Sequence, residues 1–193
     1  FKRQRSVVMS RLGGKADWWD EDRWNRELAD DLYKLGVAVS RQAARDALKA
    51  MGVDPETYDV DRTLAYLKVK ARGSAERINS KTRDALEAAI DDEDSDPGDV
   101  FDQAESSRSE MLAVATVTSL SGFGTCEAGR QSGAATKTWI TGPNPRDAHA
   151  AMDGETVGLD ENFSNGLAWP GDAAGSADDL ANCNCSLSFS YEE

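Results

Sequence analysis

The apolar period of this chain changes at Gly133, and that change limits the folds open to it. Upstream, Trp24, Leu28, Leu32, Leu35 and Val39 fall on one face of a 3.6-residue period. They predict a helix capped by Asp20 or Asp22 and running to about residue 51, ended by Gly52 and followed by an Asp54-Pro55 turn. Val60, Leu64, Leu67, Ala71, Ala75, Ile78, Ala85, Leu86 and Ala89 predict a second helix over residues 59–90, kinked or divided at Gly73. A third is expected over residues 100–120, through Met111, Leu112, Val114 and Ala115, although residues 113–118 would also suit a strand. Ser121-Gly122-Phe123-Gly124 is expected to interrupt it, with a short helical turn at 127–132. Downstream of Gly133, Gly and Pro punctuate short segments. Residues 136–141, 156–159 and 186–189 read as strands, and residues 146–152 as one or two helical turns. The fold class is therefore α+β: long N-terminal helices, then a small irregular α+β module.

Charge divides the chain further. It carries 35 acids against 22 bases, a net of −13, with 22 of the acids Asp and only 8 of the bases Lys. A short, densely hydrated acidic surface keeps a protein soluble where salt screens charge to about 3 Å at 1 M, so the composition suits a halophilic host. The charge is uneven. Lys2, Arg3, Arg5, Arg11 and Lys15 stand in residues 1–15 without an acid. Residues 91–105 hold Asp91, Asp92, Glu93, Asp94, Asp96, Asp99, Asp102 and Glu105 without a base. The expected organisation is a basic arm over 1–17, a helical docking region over 18–90, an acidic linker over 91–99 containing Pro97-Gly98, and a module over 100–190. No run of roughly 18 apolar residues occurs, so no membrane span is expected. Phe1-Lys2-Arg3-Gln4-Arg5 has no initiator Met and no apolar stretch after it, and reads as the start of a fragment or a processed chain.

The C-terminal region carries an ordered set of short motifs. These are Lys137-Thr138-Trp139, Arg146-Asp147-Ala148-His149, Asp153-Gly154, Phe163, Pro170-Gly171-Asp172 and Asn182-Cys183-Asn184-Cys185. In order and spacing the set resembles the phage Mu F-like head morphogenesis family over about residues 105–190. Two positions depart from the family pattern. Asn184 stands where Arg is usual between the cysteines, and Thr116-Val117-Thr118 lacks an acid expected in the preceding helix. The resemblance implies a minor head protein that joins the portal protein or the major capsid protein in the host cytoplasm during assembly. It would then lie inside the virion head near the portal, in reach of packaged double-stranded DNA.

Residue chemistry leaves several roles open. Three cysteines cannot all pair in one chain, and Cys183 and Cys185 are too close for an unstrained bridge, so the set suits a reducing compartment. His149, the only histidine, could join Cys183 and Cys185 on zinc, with Cys126 or Asp153 as fourth ligand. The plainer reading is a hydrogen-bonded His149 with the cysteines as small buried residues, and no cofactor. Arg146, His149, Asp153 and Glu155 could instead form an acid–base cluster of a nuclease or ejected effector. No P-loop, paired-histidine or nucleophile-elbow motif accompanies them, so the expectation is a protein that is not an enzyme. Trp18, Trp19 and Trp24, beside Lys2, Arg3, Arg5 and Arg11, suit either an anchor for another subunit or packing on the second helix. Trp139, Phe163, Trp169 and Phe189 read as the core of the C-terminal module.

Overall fold

A computed structural model describes residues 1–12, 17–180 and 183–191, with Ala177 and Asp178 described by backbone alone. Lys15 and Asn182 of the sequence reading lie outside the described residues. The chain divides into two compact units, Phe1–Leu35 with Leu64–Leu112, and Gly36–Thr63 with Ala113–Glu193. The fold is α+β as expected. No helix among the described residues is long and apolar enough to cross a membrane.

The first unit is helical. Within the expected basic arm, residues 2–11 form helix α1 (Lys2–Arg11), because Gln4 and Val8 give it an inward face. Arg3 pairs with Asp31 at 2.7 Å and Glu27 at 3.4 Å, while Arg5 pairs with Asp102. Helix α2 (Glu21–Ala50) begins in this unit, and helix α3 (Leu64–Asp91) runs unbroken through Gly73. The buried face of α3 is Leu67, Ala71, Ala75, Asn79, Thr82 and Leu86. Its two polar members are satisfied from neighbouring helices. Gln4 Nε2 donates to Asn79 Oδ1 at 2.8 Å, Asn79 Nδ2 donates to Asn25 Oδ1 at 2.8 Å, and Arg108 donates to Thr82 Oγ1 at 2.9 Å. Sharing these bonds offsets most of the cost of burying the groups.

The acidic stretch does not divide the chain, since it lies wholly within the first unit. Helix α4 (Pro97–Gln103) starts inside it: Asp96 caps the helix by accepting from Gly98 N at 2.7 Å, and Pro97 occupies the first turn. A π-helical stretch, Ala104–Arg108, joins α4 to helix α5 (Ser109–Ser132). Val8, Trp24, Leu86 and Phe101 form the core of this unit, and Trp18 and Trp19 pack against it half-buried.

In the second unit the later half of α2 turns a different side inward from the one its large residues suggested. Ser40, Ala44 and Leu48 are buried, whereas Val39 is only half-buried. Helix α5 packs on this narrow face and is not interrupted at Gly122 and Gly124. A Cβ on Gly124 would overlap the Ser40 carbonyl, and one on Gly122 would overlap the Pro170 carbonyl. These glycines are sites of close approach rather than breaks. Strands β1 (Thr136–Ile140), β2 (Thr156–Gly158) and β3 (Ser186–Ser190) form an antiparallel sheet in the order β2-β1-β3. Lys137 faces Val157 on one side and Phe189 on the other, which puts Lys137 and Trp139 on the inner face. Short helices α6 (Asp147–Ala150) and α7 (Ala177–Leu180) lie in the connections.

Candidate functional site

Most residues of the motif set meet in one interlocked core. Trp139 stacks edge-on against Phe163 at 5.1 Å and against His149 at 5.4 Å, in a cluster with Met152 and Leu167. Lys137 is fully buried; its Nζ donates to Ala168 O at 2.8 Å and stands 5.2 Å from the Phe163 ring. Burial lowers its pKa from the ordinary lysine value. Gly154, at φ +80°, makes the turn that lets its N–H donate to Trp139 O at 2.9 Å. The Asp172 carboxylate accepts from Ala168 N at 3.0 Å and Ala174 N at 3.1 Å, and Gly171 lies against the backbone of Ser119 on α5.

In the acid–base cluster that sequence spacing allowed, Arg146 acts on His149, but both acids are engaged in turns. Asp153 accepts from Thr141 N at 2.9 Å and Thr141 Oγ1 at 3.0 Å, bonds that hold its pKa below the usual carboxylate range. Glu155 accepts from Ser164 N at 2.6 Å and Ser164 Oγ at 2.7 Å. Both acids stabilise turns. Arg146 precedes α6 and its charge acts on His149 and Asp179.

His149 turns instead toward the two cysteines. Its Nδ1 stands 3.5 Å from Cys185 Sγ and 3.7 Å from Cys183 Sγ. Among the described residues these three form the one group of donors close enough to share an ion, all within 4.8 Å of one another. His149 and Cys183 are buried and Cys185 is half-buried. Burial pushes the Cys183 thiol up to about 11, a shift that the backbone N–H of Cys185 partly opposes, and burial lowers the pKa of His149. The other ring nitrogen, Nε2, is buried without a hydrogen-bond partner and faces Asp179 Oδ1 at 3.8 Å.

Cys126 and Asp153, the two candidates for a fourth ligand, are not in this group. Cys126 is buried on α5, where burial raises its pKa; Arg130 and Lys137 oppose the rise, and Glu127 and Asp160 add to it. Asp179 was missed from sequence. Its Oδ2 accepts from Ser176 N at 2.8 Å while its N–H donates to Ser176 Oγ at 3.2 Å, the reciprocal cap that a Ser-x-x-Asp pattern signals. Its reach to His149 had no local signal.

The residues read as a partner anchor belong largely to the first unit's core. Trp24 is buried, with the Arg23 guanidinium 4.4 Å from its ring, and Trp18 and Trp19 pack beside it. Arg3 and Arg5 are drawn into ion pairs, and Lys2 and Arg11 are exposed.

Comparison with family models, with curated proteins and with solved structures gives no match for this chain.

Proposed function

We propose that this chain is a minor head protein of a tailed virus of a halophilic host, a non-enzymatic component that joins the portal vertex during head assembly. The ordered motif run from Lys137 to Cys185 carries the reading. Its support is the use to which those residues are put. Lys137, Asp153, Glu155 and Asp172 each hold a turn or a strand connection, and Trp139 and Phe163 fill the core beneath them. A motif that specifies a fold suits a protein that takes a fixed place in an assembly. The partner is the portal protein or the major capsid protein, met chiefly through protein contacts. At a net charge of −13 the chain is repelled by DNA as a whole, and Arg3 and Arg5 of the first helix are already paired with acids.

The nuclease or effector alternative has less support, since Asp153 and Glu155 each hold a turn and His149 faces two thiols. Particle imaging decides the matter: a fixed number of copies against the portal is expected. Particles without the protein, or cleavage of nucleic acid by the free chain, would overturn the proposal.

A further inference from the structure

We propose that His149, Cys183 and Cys185 bind one zinc ion, through imidazole Nδ1 and two thiolates, with water as the fourth ligand. The inference stands on side-chain placement and is independent of the head-protein reading. Tetrahedral zinc, with Zn–N about 2.0–2.1 Å and Zn–S about 2.3 Å, needs N···S separations of about 3.6 Å. The two observed here are 3.5 and 3.7 Å, and the two sulfurs, within 4.8 Å of each other, would close to about 3.8 Å on a shared ion.

A single well-directed hydrogen bond does not satisfy both sulfurs. Neutral Nδ1 carries either one proton or one lone pair, so it serves one sulfur along a good hydrogen-bond direction. Two sulfurs converge on it. An ion between the three donors accounts for both. The ligand set also balances charge, because two thiolates neutralise a divalent cation and burial then carries little penalty. The two thiol protons pass to solvent on binding. Nitrogen and sulfur donors favour zinc over magnesium or calcium, which prefer oxygen.

The surroundings fit a held ligand. With Nδ1 on the metal, Nε2 carries the proton, and the Asp179 carboxylate it faces at 3.8 Å is the acceptor that would orient the ring. Ser176 fixes that carboxylate through its other oxygen. The chain between the cysteines is pinned as well, since a Cβ on Gly142 would overlap the Asn184 carbonyl. Both cysteines border a cleft of about 270 Å³ shared with Thr118, Gly122, Pro170 and Leu187, through which solvent would reach the fourth position. The ion would join α6 to the segment entering β3.

The full chain, purified under reducing conditions, is expected to carry one zinc ion by native mass spectrometry. A chelator should lower its melting temperature, and zinc but not magnesium should restore it. Cobalt titrated into the metal-free wild type should give the strong visible bands of four-coordinate cobalt with thiolate charge transfer. This readout does not depend on any variant folding. Cys126→Ser should bind as wild type, Cys183→Ser and Cys185→Ser should lose stoichiometric binding, and Asp179→Asn should weaken it about 10- to 100-fold. A weak octahedral cobalt spectrum, an intact mass two hydrogens low from a disulfide, or loss of binding in Cys126→Ser would overturn the proposal.

Discussion

Two glycines in long helices should respond oppositely to the same substitution. Gly73 in α3 has no heavy atom within 4 Å of where a Cβ would stand, whereas a Cβ on Gly124 in α5 would lie 2.8 Å from both the Cα and the carbonyl carbon of Ser40. Ala is favoured over Gly in a helix interior by about 0.8–1.0 kcal/mol, so Gly73→Ala should stabilise the first unit by about that amount. At Gly124 the same gain is opposed by backbone, which cannot rotate away. Carbon atoms at rest sit about 3.5–4.0 Å apart, and the Ser40 carbonyl oxygen lies closer still, so α2 and α5 would have to part locally by roughly 0.7–1.2 Å. A gap of that size forfeits a quarter to a half of the contact energy of each atom pair around it. Overpacking and the loosened Ala44, Leu48 and Ala128 contacts then cost about 3–4 kcal/mol, leaving a net loss of about 2–3 kcal/mol. Two units need not unfold together, so amide hydrogen exchange read peptide by peptide is the suitable assay. Protection in the later half of α5 should fall roughly 30- to 150-fold in Gly124→Ala, at about 1.4 kcal/mol per tenfold. Equal or greater protection there would refute the claim that Gly124 exists for close approach.

Other perturbations address the core, the buried lysine and the surface. Trp24→Ala empties the centre of the first unit's core and should cost about 3–5 kcal/mol, with exchange accelerating throughout α3; an effect below about 1 kcal/mol would mean that the side chain is not packed as described. Lys137 has a folded pKa below its ordinary 10.5, so between the two values the unfolded chain binds more protons and stability rises with pH. The wild type should therefore gain stability relative to Lys137→Met as the pH rises toward 10.5, and a relative loss would reverse the sign of the argument. With a net charge of −13, the melting temperature should climb from dilute buffer to molar KCl, and a flat or falling curve would remove the basis for a halophilic origin.

Local pattern was enough for much of the fold. The 3.6-residue period located α2 and α3, Gly52 ended α2 with a positive φ of 74°, and the three short strands lie within a residue or two of their expected places. These features depend on neighbours along the chain. The Ser-x-x-Asp cap at Ser176 and Asp179 carried the same kind of local signal but was not read from the sequence, and its reach to His149 had no local signal at all.

Tertiary packing decided the rest. Gly122 and Gly124 carry the local signature of a break, yet α5 passes through them because neighbouring backbone occupies the space of their missing side chains. Val39 fits the apolar period of α2, yet it is Ser40 and Ala44 that are buried in the second unit, where Gly124 of α5 approaches the Ser40 backbone closely. Residues 2–11 have little apolar periodicity and form a helix because Asn79, Asp31 and Asp102, all distant in sequence, supply their partners. The cysteines were visible as residue types from the outset. That Cys183 and Cys185 meet His149 while Cys126 does not follows from how β3 and α6 are brought together over Trp139, and no spacing along the chain encodes a distance across the core.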